Sequence, residues 1–187
     1  MAKQTLQLTP AIAAARSKWQ FRGQSRPPFA DPTGPGDLSV WDFPRPPRLE
    51  SVRSELRVAH QENLLAQTTN GMRVLETAGA PTYYFPPQDV RADLLLEIQQ
   101  PSMCEWKGIA TSFALLDQPN GPAVAWCYRE TFAEFETIRG WYAFYPSRLA
   151  CHVGDEQVQP QPGGYYGGWV TRNLKGPIKG DPGTGHW

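Results

Sequence analysis

The sequence predicts a mainly β protein: a small antiparallel sheet system with short helices and irregular Pro- and Gly-rich arms. Three observations predict it. With 19 Pro and 17 Gly in 187 residues, long helices are interrupted too often for a bundle. Seven Trp, seven Tyr and eight Phe supply large rings that suit half-buried strands. Short apolar runs also recur at roughly ten-residue spacing with turn residues between them, the rhythm of antiparallel sheets.

In chain order, residues 1–47 read as an aromatic arm. Thr9 is a good N-cap and Pro10 fits a first helical turn, so a short helix starts there. Beyond it, Trp19, Phe21, Phe29, Trp41 and Phe43 are scattered among Pro and Gly. That many rings imply packing along the body or along a partner. Residues 48–159 carry the strand signals. Leu56 and Val58 alternate with polar neighbours and return through Gln61-Glu62-Asn63 into Leu64-Leu65-Ala66. Val74-Leu75 and Tyr83-Tyr84-Phe85 read as short strands, and Pro86 to Val90 as a turn into a single helical turn. Phe113 to Leu116 and Val124 to Tyr128 flank Pro119-Asn120-Gly121-Pro122, a strong hairpin cue. Phe132 to Ile138 reads as a short helix. Trp141 to Tyr145 and Leu149 to Val153 flank Pro146-Ser147-Arg148, which reads as another tight return. Residues 160–187 form a Gly-rich arm whose aromatics suggest docking.

The charges cancel, 18 basic against 18 acidic, so the basic excess of a nucleic-acid binder is missing. No stretch has the length and apolarity of a membrane span. Cys104, Cys127 and Cys151 are odd in number and widely spaced, which is no disulfide framework and suits a reducing cytoplasm. They also lack the close pairing of structural zinc, and Cys151 and His152 in a strand face opposite sides. The expectation is a cytoplasmic protein with no metal site.

Val74-Leu75-Glu76-Thr77, Pro81-Thr82-Tyr83-Tyr84-Phe85-Pro86, Asp89-Val90, Cys104-x-Trp106-Lys107-Gly108, Ala125-Trp126-x-Tyr128 and Ala143-Phe144-Tyr145 follow one another in this order. The series resembles the bacterial family of domain of unknown function 427. The C-terminal Gly-Gly-Trp-Val-Thr and Gly-x-Pro-Gly-Thr-Gly-His-Trp segments resemble cyanobacterial members with long extensions. The resemblance implies a fold similar to the Mss4-like β-tent without its zinc cysteines. It also brings a nucleotidyltransferase label. That label finds little support here, because no Gly-Ser precedes a close Asp-x-Asp pair and no phosphate loop is present.

Cys104-Glu105-Trp106-Lys107-Gly108 is the most suggestive segment. Lys107 beside Trp106 reads as a base, a Schiff-base former or an anion anchor, with Gly108 allowing close approach. Against this stands a structural reading in which Trp106 is core, Cys104 a buried small hydrophobe and Lys107 solvated. On a strand, Trp126 and Tyr128 share a face. If that face meets the Lys107 loop, an aromatic cup with a cation at its rim results, with Tyr84 and Tyr145 among its rings. An ordinary aromatic core is the competing reading. Asp89 reads as a general base or as a backbone cap at its Pro-rich turn. The leading expectation is therefore a small-molecule-binding or sensing domain walled by Trp106, Trp126 and Tyr128, with Lys107 and Asp89 as polar contacts. The alternatives are an enzyme using Lys107 with Cys104 or Asp89, and an interaction module whose arms bind a protein or a second copy of the chain. No residue pattern names a cofactor.

Overall fold

The computed structural model describes residues 5–187. One helix, α1 (Pro10–Ser17), opens it, and the Thr9 hydroxyl caps it by accepting from the Ile12 N–H. The strands follow as β1 (Leu38–Ser39), β2 (Arg48–Ser51), β3 (Leu56–His60), β4 (Asn63–Thr68), β5 (Met72–Leu75), β6 (Thr82–Tyr84), β7 (Leu95–Cys104) and β8 (Gly108–Leu115). Then come β9 (Ala125–Thr131), β10 (Tyr142–Phe144), β11 (Ala150–Val153), β12 (Glu156–Gln157), β13 (Gln159–Pro160), β14 (Trp169–Val170) and β15 (Leu174–Lys175). Short 3-10 turns occupy Val40–Asp42, Pro87–Asp89, Ala92–Leu94 and Ala133–Ile138. Among the described residues, no helix is long and apolar enough to cross a membrane.

Two sheets carry the body. One has the order β10-β9-β8-β7 and the other β12-β11-β3-β4, both antiparallel. A third, β2-β5-β6, continues the first, because Phe85 and Tyr142 exchange backbone hydrogen bonds at 2.8 and 3.0 Å. The result is one long layer running from β2 to β7. Side-chain alternation then sorts its two faces. Tyr83, Phe85, Phe113, Ala125, Cys127 and Phe144 join Leu56, Val58, Leu65 and Cys151 of the other sheet in the main core. Val74, Tyr84, Ala110, Trp126, Tyr128 and Ala143 lie on the opposite face.

The expected helix, the β3–β4 and β8–β9 hairpins and the short β5 and β6 strands are present. One reading is corrected. The return at Pro146-Ser147-Arg148 joins no hairpin, since β10 pairs with β9 while β11 pairs with β3 and β12. That turn carries the chain from one layer to the other, so Phe144 and Cys151 meet across the core instead of along a ladder. The longest strand, β7, was not foreseen.

Both arms pack on the body. Val40, Trp41 and Phe43 of the first and Leu174 of the second form a separate buried cluster with Leu75, Ala78 and Ala80. Trp41 is fully buried. Its indole N–H donates to the Gly176 carbonyl at 3.1 Å, and Phe21, Phe29 and Trp187 pack around its ring at centroid distances of 5.2 to 5.3 Å. The arms also pair with each other, β1 running parallel to β15 with Leu38 opposite Leu174.

Candidate functional site

A cavity of about 410 Å³ opens on the outer face of the long layer. Val74, Thr82 and Tyr84 line it from β5 and β6, and Ser112, Trp126 and Tyr128 from β8 and β9. The arms close it with Trp19 on one side and Gln161, Tyr166 and Lys179 on the other. Its size falls in the range of small-molecule sites.

The chemistry concentrates on Glu76, which stands in the turn after β5. Three cations surround its carboxylate. Arg45 Nε donates to Oε1 at 3.2 Å, Lys179 Nζ lies 3.9 Å from Oε1, and Lys107 Nζ lies 4.0 Å from Oε2. Arg45 is anchored independently through the Phe21 and Thr77 carbonyls, both at 2.8 Å. The two lysines are different. Neither Nζ makes a hydrogen bond within 3.5 Å to any described residue, although the Lys107 side chain is only 11% exposed and that of Lys179 5%. Neither nitrogen is among the buried unpartnered atoms, so the stems are buried while the ammonium donors reach the cavity and are available to what enters it.

Each lysine is held by its own segment. Lys107 sits in the β7–β8 turn, where its carbonyl accepts from the Phe132 N–H at 3.2 Å. Its neighbour Glu105 receives the N-terminal arm, taking the Trp19 indole N–H at 2.8 Å and the Arg16 Nε–H on its carbonyl at 2.7 Å. Lys179 is pinned by backbone bonds, its N–H to the Ala78 carbonyl at 2.8 Å and its carbonyl from Gln161 Nε2 at 2.8 Å. Gln161 Oε1 in turn accepts from the Ala80 N–H at 3.0 Å, so one buried amide ties the second arm to the body. Gly163 and Gly180 permit this crossing. A Cβ on either would meet the carbonyl oxygen of Gly180 or Pro162, respectively, at 1.9 Å, and both have positive φ.

The electrostatics separate the two amines. For Lys107, burial is the largest influence and works against the charge. The anionic forms that Cys104, Tyr128 and Tyr84 take only at high pH, together with the Glu76 carboxylate, outweigh it, and the ammonium is held well above the ordinary lysine range. For Lys179, burial wins: assisted by Arg45 and Lys107 against the pull of Glu76, it brings the amine below the ordinary value. Lys179 also lies 4.7 Å from the Trp19 ring centroid and 4.9 Å from that of Tyr166. Burial pushes Tyr84 and Tyr128 up, so both are neutral phenols at ordinary pH. The Tyr84 hydroxyl is buried without a hydrogen-bond partner among the described residues, the Trp126 indole giving it only a weak polar contact.

Of the residues singled out from sequence, Lys107, Cys104, Tyr84, Trp126, Tyr128 and Tyr145 line this cavity. Lys107 is buried within it, where the sequence reading set a cation at the rim. Three others lie elsewhere. Trp106 is buried in the cluster with Phe135 and Ile138, under the Arg16 guanidinium at 5.0 Å. Gly108 does allow a close approach, but to backbone, since a Cβ there would meet the Glu130 carbonyl oxygen at 2.1 Å. Asp89, in the 3-10 turn Pro87–Asp89, accepts from the Thr68 hydroxyl of β4 at 2.6 Å and does not line the cavity. Lys179, Gln161 and Trp19 were missed as site residues. Glu76 with Arg73 reads from sequence either as an ion pair holding the sheet or as a polar pocket wall; Arg73 pairs instead with Glu50, and Glu76 lines the cavity, although nothing in its local sequence marks it as a hub for cations from three distant segments. Cys127 and Cys151 are buried. Among the described residues, no group of three or more His, Cys, Asp or Glu side chains could hold a metal ion.

Comparison with curated proteins finds no match. The family profile described as Domain of unknown function (DUF427) matches residues 48–155, more than half of the chain and the stretch that supplies Glu76, Tyr84, Lys107, Trp126 and Tyr128. By that match, the chain belongs to the family of domain of unknown function 427.

Proposed function

We infer that the chain is a binding or sensing domain for a small planar anion. The anionic group sits on the Lys107 ammonium with Lys179 beside it, and the flat apolar part lies against Trp126, Tyr128 and Tyr145. One observation carries this reading: two largely buried lysines whose ammoniums line one cavity, share a single carboxylate with Arg45 and donate no hydrogen bond to the described residues. Three cations face two cavity carboxylates, Glu76 and Glu105, and the surplus positive charge lies in a low-dielectric chamber, where a further anion is attracted more strongly than at the surface. The aromatic walls add area for a flat ligand and the Tyr84 hydroxyl adds a donor. Held protonated, Lys107 is suited to anchoring an anion and poorly suited to acting as a base.

The test is thermal stabilisation by aromatic carboxylates and nucleoside monophosphates, each beside its neutral amide or nucleoside. A ligand at a hundred times its Kd stabilises by about 2.7 kcal/mol, a shift of several degrees. The expected result is stabilisation by anions, absent with the neutral partners and lost in a folded Lys107→Met variant. Equal shifts for charged and neutral partners, or shifts unaffected by Lys107→Met, would overturn the reading.

A further inference from the structure

The sequence drew attention to Lys107 as the reactive amine of this chain, but the cavity contains a second lysine with a different setting. Lys179 Nζ lines the chamber 3.9 Å from the Glu76 carboxylate, between the Trp19 and Tyr166 rings, and on the same carboxylate as Lys107. We propose that Lys179 is an imine-forming amine and that the chamber takes a small aromatic 2-oxo acid, its carboxylate on Lys107 and its keto carbon at Lys179 Nζ. This rests on the anion-binding reading and gives it a chemical class.

Each requirement of the reaction has a group in place. The attacking nitrogen must be a free amine for part of the time, and burial beside Arg45 and Lys107 favours that form. The substrate must arrive with its carbonyl at the amine, and an anion held by Lys107 on the other oxygen of Glu76 is brought there. A proton carrier must serve the addition and the dehydration. Glu76 is the carboxylate nearest the amine that the structure provides. The rings of Trp19 and Tyr166 shield the product from hydrolysis by water.

The Lys179 ammonium first releases a proton towards Glu76. Its lone pair then attacks the keto carbon, the C–N bond forms, and the carbonyl oxygen takes up a proton to give the carbinolamine. Loss of the nitrogen-bound proton and protonation of the hydroxyl let the C–O bond break. Water leaves and the nitrogen lone pair closes the C=N bond. The sum is one ammonium and one ketone giving one iminium and one water, with no oxidant or reductant. Because the iminium keeps the positive charge, Glu76 and the two rings hold it as they held the ammonium.

The experiment incubates the full chain with phenylpyruvate, adds sodium borohydride to reduce any iminium to a secondary amine, and maps the adduct by peptide mass spectrometry. Binding is followed in parallel by thermal shift with phenylpyruvate and with phenyllactate, which has the anion and the ring without the ketone. The expected result is a single adduct on Lys179, at least tenfold above the labelling of the more exposed Lys175. Labelling is expected to rise with pH and level off below the ordinary lysine range. It is expected to vanish in Lys179→Met and in Lys179→Arg, and in Lys107→Met to require higher phenylpyruvate. Stabilisation by both acids without an adduct on Lys179 would overturn the imine and leave the anion site standing. Failure of both acids to stabilise, with labelling spread over the surface lysines, would overturn both. The peptide map of the native chain is decisive even if a lysine variant does not fold.

Discussion

The two walls of the cavity are built in opposite ways. The body wall, from Val74 to Tyr145, is a continuous sheet whose cavity-facing rings are fixed by strand alternation. The arm wall, from Trp19 and from Gln161 to Lys179, has little regular structure. It holds its place through individual bonds: Trp19 to Glu105, Gln161 to Ala80 and Lys179, and Trp41 to Gly176. The body wall contributes a lysine held protonated and the arm wall a lysine with a weakened hold on its proton. A sheet supplies a rigid aromatic surface at low cost in special residues, whereas an irregular segment can bring one chosen side chain to one chosen point. The family match ends at residue 155, so the arm wall lies outside it.

Trp41→Ala breaks this arrangement most severely. Removing a fully buried indole costs about 3–5 kcal/mol, and because that ring joins both arms to Leu75 and Ala78, the anion site is expected to be lost with it. Denaturant unfolding with and without an anionic ligand checks this. A cost under about 1 kcal/mol with binding intact would mean that the arms and the body are energetically separate. Glu76→Gln acts where the walls meet. It leaves buried cations without their shared carboxylate, at a cost of about 3 kcal/mol near pH 7. The pH dependence has a definite sign. Lys179 in the folded chain gives up its proton before a lysine in the unfolded chain does, so the unfolded state binds more protons and stability recovers as pH rises towards 10. Unfolding curves across that range test it, and a flat profile in the variant would contradict it.

Tyr84→Phe is the smallest change and sharpens the account of the body wall. Its hydroxyl has no partner to lose, so stability at neutral pH should change by less than about 1 kcal/mol, while anion binding should weaken. Above pH 10 the two proteins should part. Unfolded tyrosine ionises near 10.0 and folded Tyr84 does not, so the native chain loses stability as pH rises there, and the variant loses less.

What the sequence made legible was local. Thr9-Pro10 announced the helix because an N-cap needs only its own next turn. Asn120-Gly121 announced the β8–β9 hairpin, and the alternation of Trp126 and Tyr128 placed both rings on one face. The strand β7 escaped notice because Gln99-Gln100-Pro101 breaks its apolar alternation. It is an edge strand with a register shift between Ile98 and Ser102, where proline and exposure are tolerated. The site was half legible for the same reason. Lys107, Cys104 and the rings stand in patterned segments. Lys179 is a single lysine between glycines, and only tertiary folding brings it to Glu76, about a hundred residues earlier in the chain. Asp89 had turn chemistry as its signal, but its 3-10 turn carries no side-chain cap bond, and its carboxylate takes the Thr68 hydroxyl of β4 instead, a tertiary contact that the local sequence does not announce.

The parallel pairing of β1 with β15 bears on the order of events in time. The indole–carbonyl bond beside it spans 135 positions, a loop whose closure follows the assembly of the nearer contacts that form the sheets. The main core itself draws Trp169 from the second arm, so the meeting of the two arms at Trp41 and Gly176 is expected to follow the docking of that tryptophan on Phe144. The chamber is thus the last thing this protein acquires, and the folding chain is expected to pass through a stage that has a floor of tyrosines and tryptophans, a Glu76 carboxylate facing Lys107 without Lys179, and no roof.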